Sequence, residues 1–188
     1  MDAFSYLSVL ISIVVGLALA HLLAGFAAMV RARASVRAYW PLAAQMALMF
    51  LIQVQLWWAL FSLREVRYWS FPEFLVVLMQ AVLVYLATAF LVPKVRAGEH
   101  IDLKECYFRE AHWYFGALLL AVLDSLAKNL VLFGHFQNME DLAGHAAFVA
   151  IVVAGLASRH ESVHKIIAVL GLLVFGAYIA LLFVRLPH

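Results

Sequence analysis

The chain reads as an all-α, polytopic integral membrane protein, a single domain over residues 1–188 with six transmembrane helices. Three observations predict this. Hydrophobic residues make up 67% of the sequence and charged residues 13%, with a mean hydropathy of +0.98, far from the averages of water-soluble domains. Apolar runs of about 20 residues, the length that crosses a hydrocarbon core, recur along the whole chain. No stretch between them is long enough to fold as a separate soluble domain. The one cysteine, Cys106, excludes an internal disulfide, and no CxxC pair suggests a redox or zinc module.

The first span, Phe4 to Val30, carries small residues at every fourth position: Ser8, Ser12, Gly16, Ala20, Ala24 and Ala28. Small side chains let helix backbones approach closely in lipid, so this face predicts a helix contact, within the protomer or between protomers of a homo-oligomer. Asp2 stands where a cleaved leader needs positive charge, so the first helix is expected to stay attached. The second span, Pro41 to Leu63, and the third, Pro72 to Val92, each open on a proline, whose missing N–H is no loss there. Gln45, Gln53, Gln55 and Gln80 lie within these two spans. Gln53 and Gln55 point about 200° apart, so at least one should bond to another helix or subunit.

The fourth span, Trp113 to Phe133, should extend below the membrane, because Asp102 and Glu105 form an N-cap and N3 pair ahead of Leu103, Tyr107, Ala111 and Tyr114. The fifth, Leu142 to Ala157, is the shortest and repeats the small-residue pattern at Ala146, Ala150 and Ala154. The sixth runs from His164 to Val184. Pro93 and Pro187 follow the ends of the third and sixth spans.

Nine Lys or Arg fall in the odd-numbered loops: Arg31, Arg33, Arg37, Lys94, Arg96, Lys104, Arg109, Arg159 and Lys165. Only three, Arg64, Arg67 and Arg185, fall on the other side, whose loop from Gln137 to Asp141 is acidic. The positive-inside rule then makes the odd loops cytoplasmic and puts both termini on the non-cytoplasmic side. Trp40, Trp69 and Trp113 mark interfaces. Compactness points to a bacterial inner membrane, and a formal net charge of +2 leaves no nucleic-acid footprint.

The fourth span holds the strongest functional signal, Asp124 and Lys128 in apolar surroundings. A charge at the centre of a membrane helix costs roughly 2.5 to 3.5 kcal/mol on insertion scales, so two need a reason. Side chains lean toward the helix N-terminus, so Lys128 can reach back to Asp124 and pair with it. Ser125 and Asn129 extend the polar stripe, and His21, Gln45, Gln53, Gln55 and Gln80 are candidates to complete a hydrated pathway. The alternative is a self-neutralising pair that fixes helix rotation, with each Gln as interhelical glue and His21 as a hydrogen-bonded structural residue.

His160-Glu161-Ser162-Val163-His164 matches H-E-x-x-H, which on a helix presents two zinc ligands and a general base. Glu99, His100, Glu105, Glu110 and His112 are candidate third ligands on the same side. Ser158 and Glu161 also fit a capping box, which would turn Glu161 back onto the start of the sixth helix. Bis-histidine haem is disfavoured, since only His21 and His145 lie well inside spans, toward opposite faces.

These residues favour a small transporter or channel that moves an ion or proton past the Asp124 and Lys128 pair. The rivals are a non-catalytic membrane subunit or assembly scaffold, and a cytoplasmic-face metal-dependent hydrolase using His160, Glu161 and His164. The weight of the residues is against an enzyme. No cofactor is expected, with zinc at residues 160–164 the alternative. Expected partners are the lipid bilayer, a second copy of the chain and another membrane protein.

Overall fold

A computed structural model describes residues 3–66, 68–95, 100–135 and 139–182. Arg67, Arg96, Glu99, Gln137, Arg185, Pro187 and the end of the sixth span lie outside the described residues. The helices are α1 (Ala3–Arg31), α2 (Trp40–Ala59), α3 (Phe71–Leu91), α4 (Leu103–Phe133), α5 (Met139–Ala157) and α6 (Glu161–Leu182). All six are long and apolar enough to cross a membrane, in agreement with the all-α, six-helix reading.

The boundaries follow local chemistry. Pro41 and Pro72 sit in the first turns of α2 and α3. Ser70 and Glu73 close a reciprocal capping box on α3: the Ser70 hydroxyl accepts from Glu73 N–H, and the Glu73 carboxylate accepts from Ser70 N–H at 2.6 Å. Asp102 caps α4 as expected, accepting from Lys104 N–H at 2.8 Å and Glu105 N–H at 3.4 Å. At its other end α4 stops on Gly134, whose φ of 72° is the left-handed conformation that glycine adopts without a Cβ clash. After α2 the chain tightens into a 3₁₀ turn, Leu60–Glu65.

Two boundaries differ from expectation. Helix α5 starts at Met139, ahead of Leu142, because Glu140 and Asp141 belong to its first turn, where carboxylates suit the positive end of the helix dipole. Helix α6 starts at Glu161, ahead of His164, so Ser158 and Glu161 do not form the expected capping box. Instead the Ser158 hydroxyl accepts from His160 N–H at 3.2 Å, while Glu161 pairs with Lys104 and, at 2.8 Å, with Lys165.

Helices α3, α4, α5, α6 and α2 form a cycle in that order, each packed on the next and α2 returning to α3, while α1 packs against α3 and α2 from outside. At one end of the bundle the connections after α1 and α3 are tied by a two-residue parallel pair, β1 (Val36–Arg37) with β2 (Ile101–Asp102), and by an Arg37–Asp102 ion pair at 3.2 Å. So short a pairing leaves no sequence signal.

Inward-facing small residues, among them Ala18, Ala81, Ala87, Ala121 and Ala168, let the backbones approach. The stripes read from sequence are not among them. Gly16, Ala20 and Ala24 are exposed, and α1 turns Ile11, Val15, Ala18 and Leu22 inward. Ala146, Ala150 and Ala154 also face outward, while His145, Phe148, Val152 and Gly155 of α5 face in. In these two stripes the small residues lie on the outer face, and the inward face of each helix is set by other residues.

The buried glutamines act as glue between helices. Gln53 donates to Thr88 Oγ1 at 2.9 Å, Gln80 donates to the Ala121 carbonyl at 3.0 Å, and Tyr114 donates to Gln45 Oε1 at 2.9 Å. These bonds join α2 to α3, α3 to α4 and α4 to α2. In a membrane each is worth on average about 0.6 kcal/mol.

Candidate functional site

At the end of the bundle away from the strand pair, the cycle of five helices lines a half-open cavity of about 170 Å³. Much of its wall is apolar: Leu56, Val77, Val84, Val122, Phe148 and Phe175. One side is polar. Ser125, Lys128 and Asn129 stand at i, i+3 and i+4 on α4, so they share a helical face. Across from them lie Asp141 and His145 of α5 and Tyr178 of α6.

Asp141 organises this wall. Its carboxylate accepts from the Tyr178 hydroxyl at 2.7 Å and from the Asn129 amide at 3.1 Å, which ties α4, α5 and α6 together. His145, one turn further along α5, has its Nδ1 2.8 Å from the Asp141 carbonyl and 3.3 Å from Asp141 Oδ1. A carbonyl only accepts, so Nδ1 carries the hydrogen. In the neutral ring Nε2 is then an acceptor, and Ser125 Oγ lies 3.0 Å from it. A serine hydroxyl, an imidazole and an acidic residue are thus aligned in hydrogen-bond order on a cavity wall. Gly144 makes room for the arrangement, since a Cβ there would lie 2.6 Å from Tyr178 Cδ2.

Lys128 faces this cavity and makes no hydrogen bond or ion pair among the described residues. The expected contact with Asp124 is therefore not made. Asp124 is off the cavity wall, and its Oδ2 is buried with no hydrogen-bond partner among the described residues. The two are one turn apart, but Lys128 lines the cavity with Ser125 and Asn129, and Asp124 does not. It feels the charges of Asp124 and Asp141 without touching either.

The other sequence candidates are dispersed. His21 is exposed on the peripheral α1, with its ring 6.4 Å from that of Tyr85. Gln53 is buried against Thr88, off the cavity wall, while Gln55 and Gln80 line the cavity. Gln45 is held by Tyr114.

The H-E-x-x-H segment lies at the opposite end. His164 is fully buried, its Nε2 2.8 Å from the Ser158 carbonyl and its Nδ1 2.8 Å from the Tyr107 hydroxyl. The carbonyl fixes the hydrogen on Nε2, so Nδ1 accepts from Tyr107 and both nitrogens are engaged. His160 precedes the helix and is exposed, and Glu161 is held by two lysines. Among the described residues no group of three His, Cys, Asp or Glu is placed to hold a metal, and His100, Glu105 and His112 are exposed on the surface. Glu110 pairs with Arg109 at 3.3 Å. Tyr39, just ahead of α2, is buried with no hydrogen-bond partner for its hydroxyl among the described residues, and burial, aided by the Glu161 charge, pushes its pKa up to about 12.

Sequence reasoning placed Ser125, Lys128 and Asn129 in the polar stripe and missed Asp141, His145 and Tyr178. The signal for the first two was present as Asp and His at i, i+4, which face one way once Asp141 is counted inside the helix. Fold and site together define a six-helix protein of membrane type with a polar-walled cavity toward one end. In comparison with known proteins, no family model, curated protein or solved structure matches the chain.

Proposed function

We propose that the protein is a multi-pass protein of a bacterial inner membrane that passes a proton or small ion through the cavity among α2 to α6. One observation carries this reading: Lys128, Asp141 and His145 gather on one cavity wall, on helices long and apolar enough to cross a membrane. Ionisable groups in membrane helices that face a cavity mark ion and proton paths. Ser125, Asn129 and Tyr178 supply the hydrogen bonds that relay or position a proton between them.

Nine basic residues in the odd-numbered sequence loops, two of which carry the strand pair, against three in the others support a cytoplasmic strand-pair end and a cavity in the outer half of the membrane. In a Cys106→Ser background, Glu140→Cys should be labelled from outside intact cells by an impermeant maleimide and Ser162→Cys should not. The reverse pattern overturns the sidedness.

Purified protein in liposomes with a pH-sensitive dye should move protons under an imposed potential, and Lys128→Met and His145→Gln should slow that movement at least tenfold. Wild-type protein that moves neither protons nor sodium, potassium or chloride overturns the reading. The exposed face of α1, with Gly16, Ala20 and Ala24, supports a second reading, a subunit that docks another helix. That reading is favoured if flux is absent and Gly16→Leu reduces the size of the detergent-extracted complex.

A further inference from the structure

We propose that Ser125, His145 and Asp141 form a nucleophile, base and orienting group, and that the cavity hydrolyses a carboxylic ester with an apolar acyl chain. The proposal goes beyond ion passage and stands or falls independently of it. Three geometric requirements of nucleophilic serine catalysis are met: a serine Oγ within hydrogen-bond reach of an imidazole nitrogen, at 3.0 Å; the other ring nitrogen held by the acidic residue, at 2.8 Å to its carbonyl and 3.3 Å to its carboxylate; and a space beside the serine for substrate. The Asp141 contacts set the tautomer, leaving Nε2 as the nitrogen that takes the serine proton. Tyr178 and Asn129 hold the carboxylate from two further helices, so the base is positioned from α4, α5 and α6 at once.

The fourth requirement is a group to stabilise negative charge on the carbonyl oxygen. Lys128 lies one turn beyond Ser125 on the same face of α4, lines the same cavity, and has no hydrogen-bond or ion-pair partner among the described residues. A purely structural lysine in an apolar protein is expected to be paired. A lysine without a partner among the described residues, on the same cavity wall as a serine bonded to an imidazole, suits a charge that forms only during reaction.

The chemistry balances with water as the second reactant. Ser125 Oγ bonds to the ester carbonyl carbon while its proton passes to His145 Nε2, and Lys128 faces the resulting oxyanion. Collapse breaks the bond to the alcohol oxygen, which leaves with the proton from His145. Water then attacks the acyl carbon and gives its proton to Nε2. Release of the carboxylic acid returns that proton to Ser125 Oγ. The apolar wall of Leu56, Val84, Val122, Phe148 and Phe175 suits the acyl chain, and a cavity of about 170 Å³ accepts a short one or the end of a longer one.

The test is labelling of the purified full-length protein in detergent with an alkyl fluorophosphonate, located by peptide mass spectrometry. The adduct is expected on Ser125, absent in Ser125→Ala and formed at least about 100-fold more slowly in His145→Gln. Asp141→Asn, acting through His145, should lower kcat for p-nitrophenyl butyrate and leave KM unchanged. Hydrolysis of that ester but not of phosphatidylcholine in mixed micelles assigns a water-borne ester, and the converse assigns a lipid. A folded wild-type protein, shown by a cooperative thermal transition, that takes no label on Ser125 overturns the proposal, as does equal labelling of Ser125→Ala. The bonds among Ser125, His145 and Asp141 are then helix glue.

Discussion

The Tyr178 hydroxyl of α6 donates to Asp141 Oδ1 of α5 at 2.7 Å, and this contact ties the sixth helix to the polar wall of the cavity, beside the packing of its ring on His145. Tyr178→Phe keeps the ring and removes only the donor. A hydrogen bond to a charged group is worth about 1.5 to 3 kcal/mol, and Asn129 and His145 remain on Asp141, so a loss near the lower value is expected. The thermal transition of Tyr178→Phe in detergent should therefore fall measurably below wild type. An unchanged transition would show that the contact holds nothing.

Two glycines should respond differently, one sensitive to an added side chain and one tolerant of it. A Cβ at Gly144 would sit 2.6 Å from Tyr178 Cδ2, so Gly144→Ala must push the ring from its place, at a cost of about 1 to 3 kcal/mol typical of overpacking. Gly16 has no heavy atom within 4 Å of such a Cβ, so even Gly16→Leu should leave protomer stability within about 0.5 kcal/mol of wild type. Denaturation of both variants in one detergent checks the contrast. A destabilised Gly16→Leu would mean that α1 packs through its small-residue face.

These contrasts show what the sequence could reveal. Six apolar spans are visible because each is a continuous run at membrane length, and the Asp102 cap is visible because capping is local. Which way a helix faces is not local. The stripe at Gly16, Ala20 and Ala24 has the spacing of a packing face, yet Ile11, Val15 and Leu22 face inward because α3 and α2 meet that side. Lys128 was legible as a charge in an apolar helix, and Ser125 and Asn129 as its neighbours. Asp141 was hidden because an apolar window starts the fifth span after it, so the Asp141 and His145 pair was split between loop and helix. His164 was misleading in the other direction, for its spacing fits a metal motif while Tyr107, 57 residues earlier, supplies its partner.

The two histidines of that motif should behave differently. His164 is buried with both nitrogens bonded, whereas His160 is exposed. His164→Ala opens a cavity and strands the Tyr107 hydroxyl, costing about 2 to 4 kcal/mol, while His160→Ala should cost less than about 0.5 kcal/mol. Excess chelator should leave the wild-type transition where it is. A transition lowered by chelator in wild type and insensitive to it in His164→Ala would instead make the segment a metal site.

The separation of Asp124 from Lys128 gives the last prediction. In a contacting buried pair, removing one partner costs about 3 to 5 kcal/mol and removing both recovers most of it. Among the described residues these two side chains make no ion pair, so the coupling between Asp124→Asn and Lys128→Met should stay below about 1 kcal/mol. Asp124→Asn should be neutral or stabilising, because it removes a carboxylate whose Oδ2 is already buried without a hydrogen-bond partner among the described residues. In liposomes Asp124→Asn should retain proton movement and Lys128→Met should lose it, since only Lys128 faces the cavity. Equal loss of flux in both, with strong coupling in stability, would restore a paired Asp124 and Lys128 as the functional unit.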